Sequence, residues 1–288
     1  MGAAGQTQVI NWCQRTVSHY SPCSYPHVVH EPRQPPSAEG QHMPVSGLYM
    51  ARRVHHSAIL YISAYGQCVL RNVLPAFADL SQRADEVASA EYQRLGALPA
   101  GEDGDGDVSV LVETAREKGQ AFYDTMFAMR QTTLNLFAAG LFHLLEQQLA
   151  GLCRDGAFEA PPPIDTKLCV IADWYRTFFN LDLQTLPAWP KIDQLRLLAN
   201  AVKHGEGSSA NELRKLRPDL FENPSQRELL SDFPQMYTAQ SLRLPMAGED
   251  LYVTEEVFIE YSEAVNRFIT EIAKYFTAQS DGYFLVGG

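Results

Sequence analysis

The sequence predicts an all-α protein, a helical bundle with one small β-hairpin before its last helix. Three observations carry this. Apolar residues recur at three- and four-residue intervals through most of the chain from Ser57 to Tyr275, the spacing of a helix face. The connections between these runs are short and rich in Pro, Gly or acid, as between the helices of a bundle. Only Leu242–Leu244 and Leu251–Val253, joined by Ala247-Gly248-Glu249-Asp250, suggest paired strands.

Taken in order, residues 1–48 carry Pro22, Pro26, Pro32, Pro35, Pro36 and Pro44 and keep no apolar period. They read as a disordered extension. Cys13, Cys23, His27 and His30 invite a zinc reading, but a finger needs two close ligand pairs. Residues 49–107 form an N-terminal helical segment ending in an acidic, Gly-rich linker. Cys68, Val69, Val73, Phe77 and Leu80 mark its helix, which Pro75 should kink or divide. In the linker, Asp103, Asp105 and Asp107 resemble a calcium loop only briefly. Val108 stands where the turn glycine belongs, and Thr114 where the bidentate Glu belongs.

Residues 108–279 hold the main bundle. Val108 to Cys153 would make a helix of about 70 Å if unbroken, with Gly119 and Gly140 as places to bend or break. Leu134, Phe137, Leu141, Leu145 and Leu149 give its second half a wide apolar surface. After Pro161-Pro162-Pro163, Leu168–Leu183 carries the aromatic set Trp174, Tyr175, Phe178 and Phe179. Trp189 to His204 has a clear start at Pro190 and stop at Gly205. A short helix follows from Ser208 or Ser209, with Glu212 closing a capping box. Thr254 should cap the final helix, whose Glu255 and Glu256 face the positive end of the dipole.

The chain has 288 residues, 45% hydrophobic and 20% charged, with a formal net charge of −11. That balance excludes a protein that coats nucleic acid non-specifically, though not a local basic site. Five cysteines without regular spacing suit a reducing compartment. No signal segment and no apolar run of ~20 residues is visible, so a cytoplasmic protein without membrane association is expected. There is no GxGxxG, P-loop, GxSxG or HExxH motif.

The chemistry concentrates on the helix Trp189–His204. Leu195, Leu198, Ala199 and Val202 form its apolar stripe. Beside them Arg196, Asn200 and His204 run at i, i+4, i+8, with Lys203 adjacent. A guanidinium, an amide and an imidazole thus share one edge. Arg214, Lys215 and Arg217 follow and complete a basic island in an acidic chain. On the earlier long helix, His143 and Glu146 sit at i, i+3, on one side.

Asn200-x3-His204 on a late bundle helix, with the polar His143/Glu146 pair on an earlier one, resembles the HEPN (higher eukaryotes and prokaryotes nucleotide-binding) superfamily. The resemblance spans roughly Val108 to Phe276. It implies an all-helical, homodimeric protein that acts on RNA or nucleotides in defence, such as phage defence, or in a toxin–antitoxin pair with a partner protein. Many members are ribonucleases that use no metal or other cofactor. Their motif is an Arg, a polar residue, three variable residues and a His. Here Asn200 and His204 match, whereas Ala199 stands where the Arg belongs; Arg196, one turn earlier, is the nearest substitute.

The residue types suit that chemistry. The neighbouring 2′-OH of RNA is the nucleophile when no metal acts. A His that titrates near neutrality can take its proton or protonate the leaving oxygen. Arg holds the phosphate in a fork, and Asn can orient either group. The resemblance therefore makes His204, Asn200 and Arg196 candidate catalytic residues. Lys203, Arg214, Lys215 and Arg217 become RNA contacts, with His143 and Glu146 in support. A metal-independent endoribonuclease is the first expectation. A catalytically silent HEPN-like module binding RNA, nucleotide or a protein partner is the second, and Ala199 favours it. A structural adaptor docking through the Trp174–Phe179 helix is the third.

Overall fold

Eight helices organise the described residues: α1 (Gly47–Arg53), α2 (Leu60–Cys68), α3 (Leu80–Gly96), α4 (Val108–Gly156), α5 (Leu168–Phe179), α6 (Trp189–His204), α7 (Ser208–Leu216) and α8 (Glu255–Ala278). The computed structural model describes residues 45–97, 108–156, 163, 165–224, 241–279 and 283–284. The Cys13–His30 zinc reading and the aspartates of the calcium-like loop lie outside them. Val45–Ser46 (β1) and Tyr283–Phe284 (β2) make a two-residue antiparallel ladder, Val45 opposite Phe284.

The first helical run starts ten residues before the Ser57 expected from sequence. Its buried residues Met50, Val54, Ala58, Ile62 and Gly66 repeat every fourth position. In an α-helix of 3.6 residues per turn, such a line drifts around the helix by about 40° per step. The backbone compensates with π-helical turns at Val54–Ile59 and Val69–Val73, which take more residues per turn. The line therefore stays against α8. Gly47 abuts the Phe276 and Gln279 carbonyls, and Ser63 Oγ donates to Asn266 Oδ1 at 2.9 Å. Pro75 divides the run as expected, inside a 3-10 turn at Leu74–Phe77.

Neither glycine breaks α4, which runs unbroken through 49 residues. Both serve close approach instead. A Cβ on Gly140 would lie 2.4 Å from the Tyr65 hydroxyl, and one on Gly119 would lie 2.8 Å from the Ala84 carbonyl oxygen. Gly119 and Ala115 thus let α3 fold back antiparallel against the first half of α4. Glu91 seals this arm, accepting from Arg94 and Lys118, the latter at 2.6 Å. The second half of α4 is core: Leu134, Leu141, Leu145 and Leu149 are fully buried with α5, α6 and α8 around them. A stretch of α4 is apolar enough to cross a membrane, and half of it is buried inside the fold.

The hairpin expected at 242–244 and 251–253 is absent; the all-helical reading holds without it. Its backbone groups bond to α4 instead. Asn135, fully buried, donates from Nδ2 to the carbonyls of Pro245 and Leu251, both at 2.9 Å. Its Oδ1 accepts from Val253 N at 3.2 Å and from Gln131 Nε2 at 3.0 Å. Gln131 also donates to the Val253 carbonyl at 3.0 Å. Polar side chains from a helix therefore replace a cross-strand ladder, and Gly248, at φ 77°, turns the loop against Ala128. The capping box of α7 is also absent. Gly207 precedes that helix and Ser208 lies inside it.

Candidate functional site

α6 is buried on more of its circumference than a narrow stripe allows. Ile192, Leu195, Leu197, Leu198, Ala199, Ala201 and Val202 are all buried, packed by α4, α7 and α8. Wide burial leaves one outward strip. It contains Asp193, Arg196, Asn200, Lys203 and His204, with Asn200 half-buried and His204 exposed. Gly205 ends the helix at φ 71°, ψ −143°. Gly205 stops the helix as expected, in a positive-φ conformation that favours glycine.

The loop after α6 is fastened to the Asn135-bound segment. Glu206 N donates to the Leu242 carbonyl at 2.9 Å. The Glu206 carboxylate accepts from Leu242 N at 2.7 Å and from Arg214 Nη2 at 2.8 Å. The Arg214 guanidinium holds that carboxyl below the usual range.

The expected basic island is neutralised in place. Arg196 donates from Nε to Asp193 at 2.7 Å, one turn back on its own helix. Arg214 forks onto Glu206 and stacks over the Phe221 ring at 4.5 Å. Arg217 pairs with Asp219 at 2.8 Å and Glu260 at 3.1 Å, and these partners raise its pKa. Lys203 and Lys215 are exposed and make no ion pair among the described residues.

His204 and Asn200 share one strip, four residues apart, and neither side chain makes a hydrogen bond among the described residues. The structure does not join them to His143 and Glu146. Those two pair with each other, Nδ1 to Oε2 at 3.0 Å. Glu146 Oε1 accepts from Leu168 N at 3.0 Å. Leu168 opens α5, so Glu146 satisfies an amide that the helix itself leaves unbonded. The pair's observed role is to seat α5 on α4.

Ala199, which stands where the HEPN motif has its Arg, is fully buried among its apolar neighbours. A side chain there points into the core and away from the Asn200/His204 strip. Sequence reasoning missed Gln131 and Asn135. Their signal was two amides at i, i+4, with Asn135 set between Leu134 and Leu136.

The fold and site define a helical bundle with one narrow polar strip along its central buried helix. Comparison with family models, curated proteins and solved structures finds no match.

Proposed function

We propose that this chain is a catalytically silent HEPN-like module that binds a protein partner in a cytoplasmic defence or toxin–antitoxin setting. One observation carries the reading: Ala199 occupies the motif's Arg position and is fully buried. Cleavage without a metal needs a cation on the phosphate as charge develops. The residue that should supply it is absent, and its position faces the core. The neighbouring guanidiniums already serve carboxylates. Arg196 holds Asp193, Arg214 holds Glu206 and Arg217 holds Asp219 and Glu260. A chain of net charge −11 with its arginines engaged in this way attracts RNA poorly.

The accessible Asn200/His204 pair supports the endoribonuclease reading instead, with Arg196 swinging from Asp193 onto phosphate. The two readings separate in one experiment. The purified protein is incubated with total RNA and with tRNA in chelator, and RNA retention on filters is measured across salt. No cleavage and no salt-sensitive retention are expected. Fragments ending in cyclic phosphate, lost in His204→Ala and Arg196→Ala, would establish the nuclease and overturn the proposal.

A further inference from the structure

The outward side of the first helical run has a one-sided chemistry. The four-residue repeat that buries Met50, Val54, Ala58 and Ile62 leaves a parallel row exposed: Leu48, Arg52, His56, Leu60, Ala64 and Cys68. The π-helical turns that hold the buried row against α8 keep this outer row straight as well. Leu48 and Leu60 stand about 18 Å apart, at 1.5 Å per residue. Each has an exposed tyrosine beside it, Tyr49 and Tyr61, and Leu60 is 59% and Tyr61 63% exposed. Residues 45–78 contain no Asp, Glu or Lys; their only formal charges are Arg52, Arg53 and Arg71. Arg53 is held by Asp155, whereas Arg52 and Arg71 are exposed and make no ion pair among the described residues. Exposed Tyr, Leu and Arg with no Asp, Glu or Lys is the composition of a protein interface core.

Charge complementarity selects the occupant. Two uncancelled guanidiniums, with no carboxylate among them, attract acids and repel a cationic surface. A guanidinium takes a carboxylate in a two-pronged hydrogen bond. A nucleic acid or an anionic bilayer is held by many cations and finds only these two here, on a chain of net charge −11. The apolar pairs on either side of Arg52 call for apolar side chains on the same partner. The row is the ridge of a helix, and such a ridge packs into the groove of another helix. We propose that the α1–α2 row docks an acidic, amphipathic helix of a partner protein. Its carboxylates meet Arg52 and Arg71, and its apolar side chains meet Leu48, Tyr49, Leu60 and Tyr61. This face uses neither Ala199 nor the α6 strip, and it stands or falls independently of the functional reading above.

Two synthetic helical peptides serve as probes, with one leucine stripe in common and either Glu or Lys flanking it. Binding to the full-length protein is read by fluorescence anisotropy at low and high salt. The Glu peptide should bind at least tenfold more tightly than the Lys peptide, and high salt should remove the difference. Arg52→Glu/Arg71→Glu should reverse the preference, gaining the Lys peptide as it loses the Glu peptide. That gain also shows that the variant is folded. Leu60→Ser/Tyr61→Ser should weaken both peptides at least tenfold while keeping the melting temperature, because both side chains are exposed. Equal binding of the two peptides, or no binding of the Glu peptide at 100 µM, overturns the proposal. So does a preference that survives the arginine reversal. Sedimentation from 1 to 100 µM and flotation with phosphatidylserine vesicles cover the other occupants. Self-association or vesicle binding that the arginine reversal abolishes would give the face to a second copy or to a bilayer, and overturn the proposal.

Discussion

Replacing Asn135 by Ala should destabilise the protein by about 4 kcal/mol, since buried polar groups left unpaired cost roughly 1–3 kcal/mol each. The side chain makes four hydrogen bonds, as many as its amide can. Truncation strands the carbonyls of Pro245 and Leu251, the amide of Val253 and one proton of Gln131. Val253 keeps one bond, because Gln131 still donates to its carbonyl. Four groups at the lower half of that range give about 4–8 kcal/mol, and a water entering the vacated space recovers part of it. Asn135→Leu fills the space, excludes the water and should cost more. Asn135→Asp should be worst, because it turns an acceptor toward two carbonyls and buries a charge. Urea unfolding followed by fluorescence measures the loss. Hydrogen exchange locates it, with protection falling first at 242–253. A loss below about 1 kcal/mol, or exchange rising evenly through the bundle, would refute the clamp reasoning.

Ala199→Arg, which introduces the Arg of the HEPN motif, should abolish folding or lower stability by several kcal/mol, because it buries an unpaired guanidinium; a well-folded variant that cleaves RNA would show the site to be open after all. Gly248→Ala should cost more than about 1 kcal/mol. Its φ is 77° and a Cβ would lie 2.4 Å from the Ala128 carbonyl oxygen, so an unchanged melting temperature would contradict that contact. Glu91, lowered to about 2 chiefly by Arg94 and then Lys118, should stabilise the arm above its unfolded pKa of 4.5. That stabilisation is lost as pH falls from there toward 2. Hydrogen exchange at 80–97 should show the step, and Glu91→Gln should remove it; a step unchanged in the variant would assign the titration elsewhere.

Much of this fold is legible in the sequence because burial leaves a period. Trp189–His204 is bounded by Pro190 and Gly205, and Thr254 caps α8 through Val257 N at 3.3 Å. The misses have physical causes. The repeat at Met50, Val54, Ala58 and Ile62 drifts around a helix of 3.6 residues per turn, so the sequence showed a helical period only from about Ser57. Only backbone that leaves the α-helix can use it. Gly119 and Gly140 read as breaks because a sequence does not show what lies across from a missing Cβ. The 242–253 segment alternates like strands, yet its partners sit more than a hundred residues away on α4. Pattern alone does not reveal a side chain that replaces a strand. At the site, spacing located the Asn200/His204 strip. It did not reveal that Asp193, Glu206, Asp219 and Glu260 had already engaged the arginines.

These misses bear on one another at the end of α6. His204 and Gly205 are positioned by Glu206, which bonds Leu242 through both its amide and its carboxylate. Leu242 precedes Pro245, Leu251 and Val253, whose backbone Asn135 holds. A buried amide on α4 is thereby linked to an exposed imidazole on α6 through a loop whose described part holds a single 3-10 turn, Pro245–Ala247. The loop is fixed at both ends by side chains, a geometry that strand pairing would not give. It keeps the polar strip open to solvent while its backbone polar groups remain bonded. Under the proposed function, the shape a partner would meet at the strip is set as much by Asn135 and Glu206 as by Asn200 and His204. Substitutions at the clamp should therefore alter binding at the strip without touching a residue exposed on it.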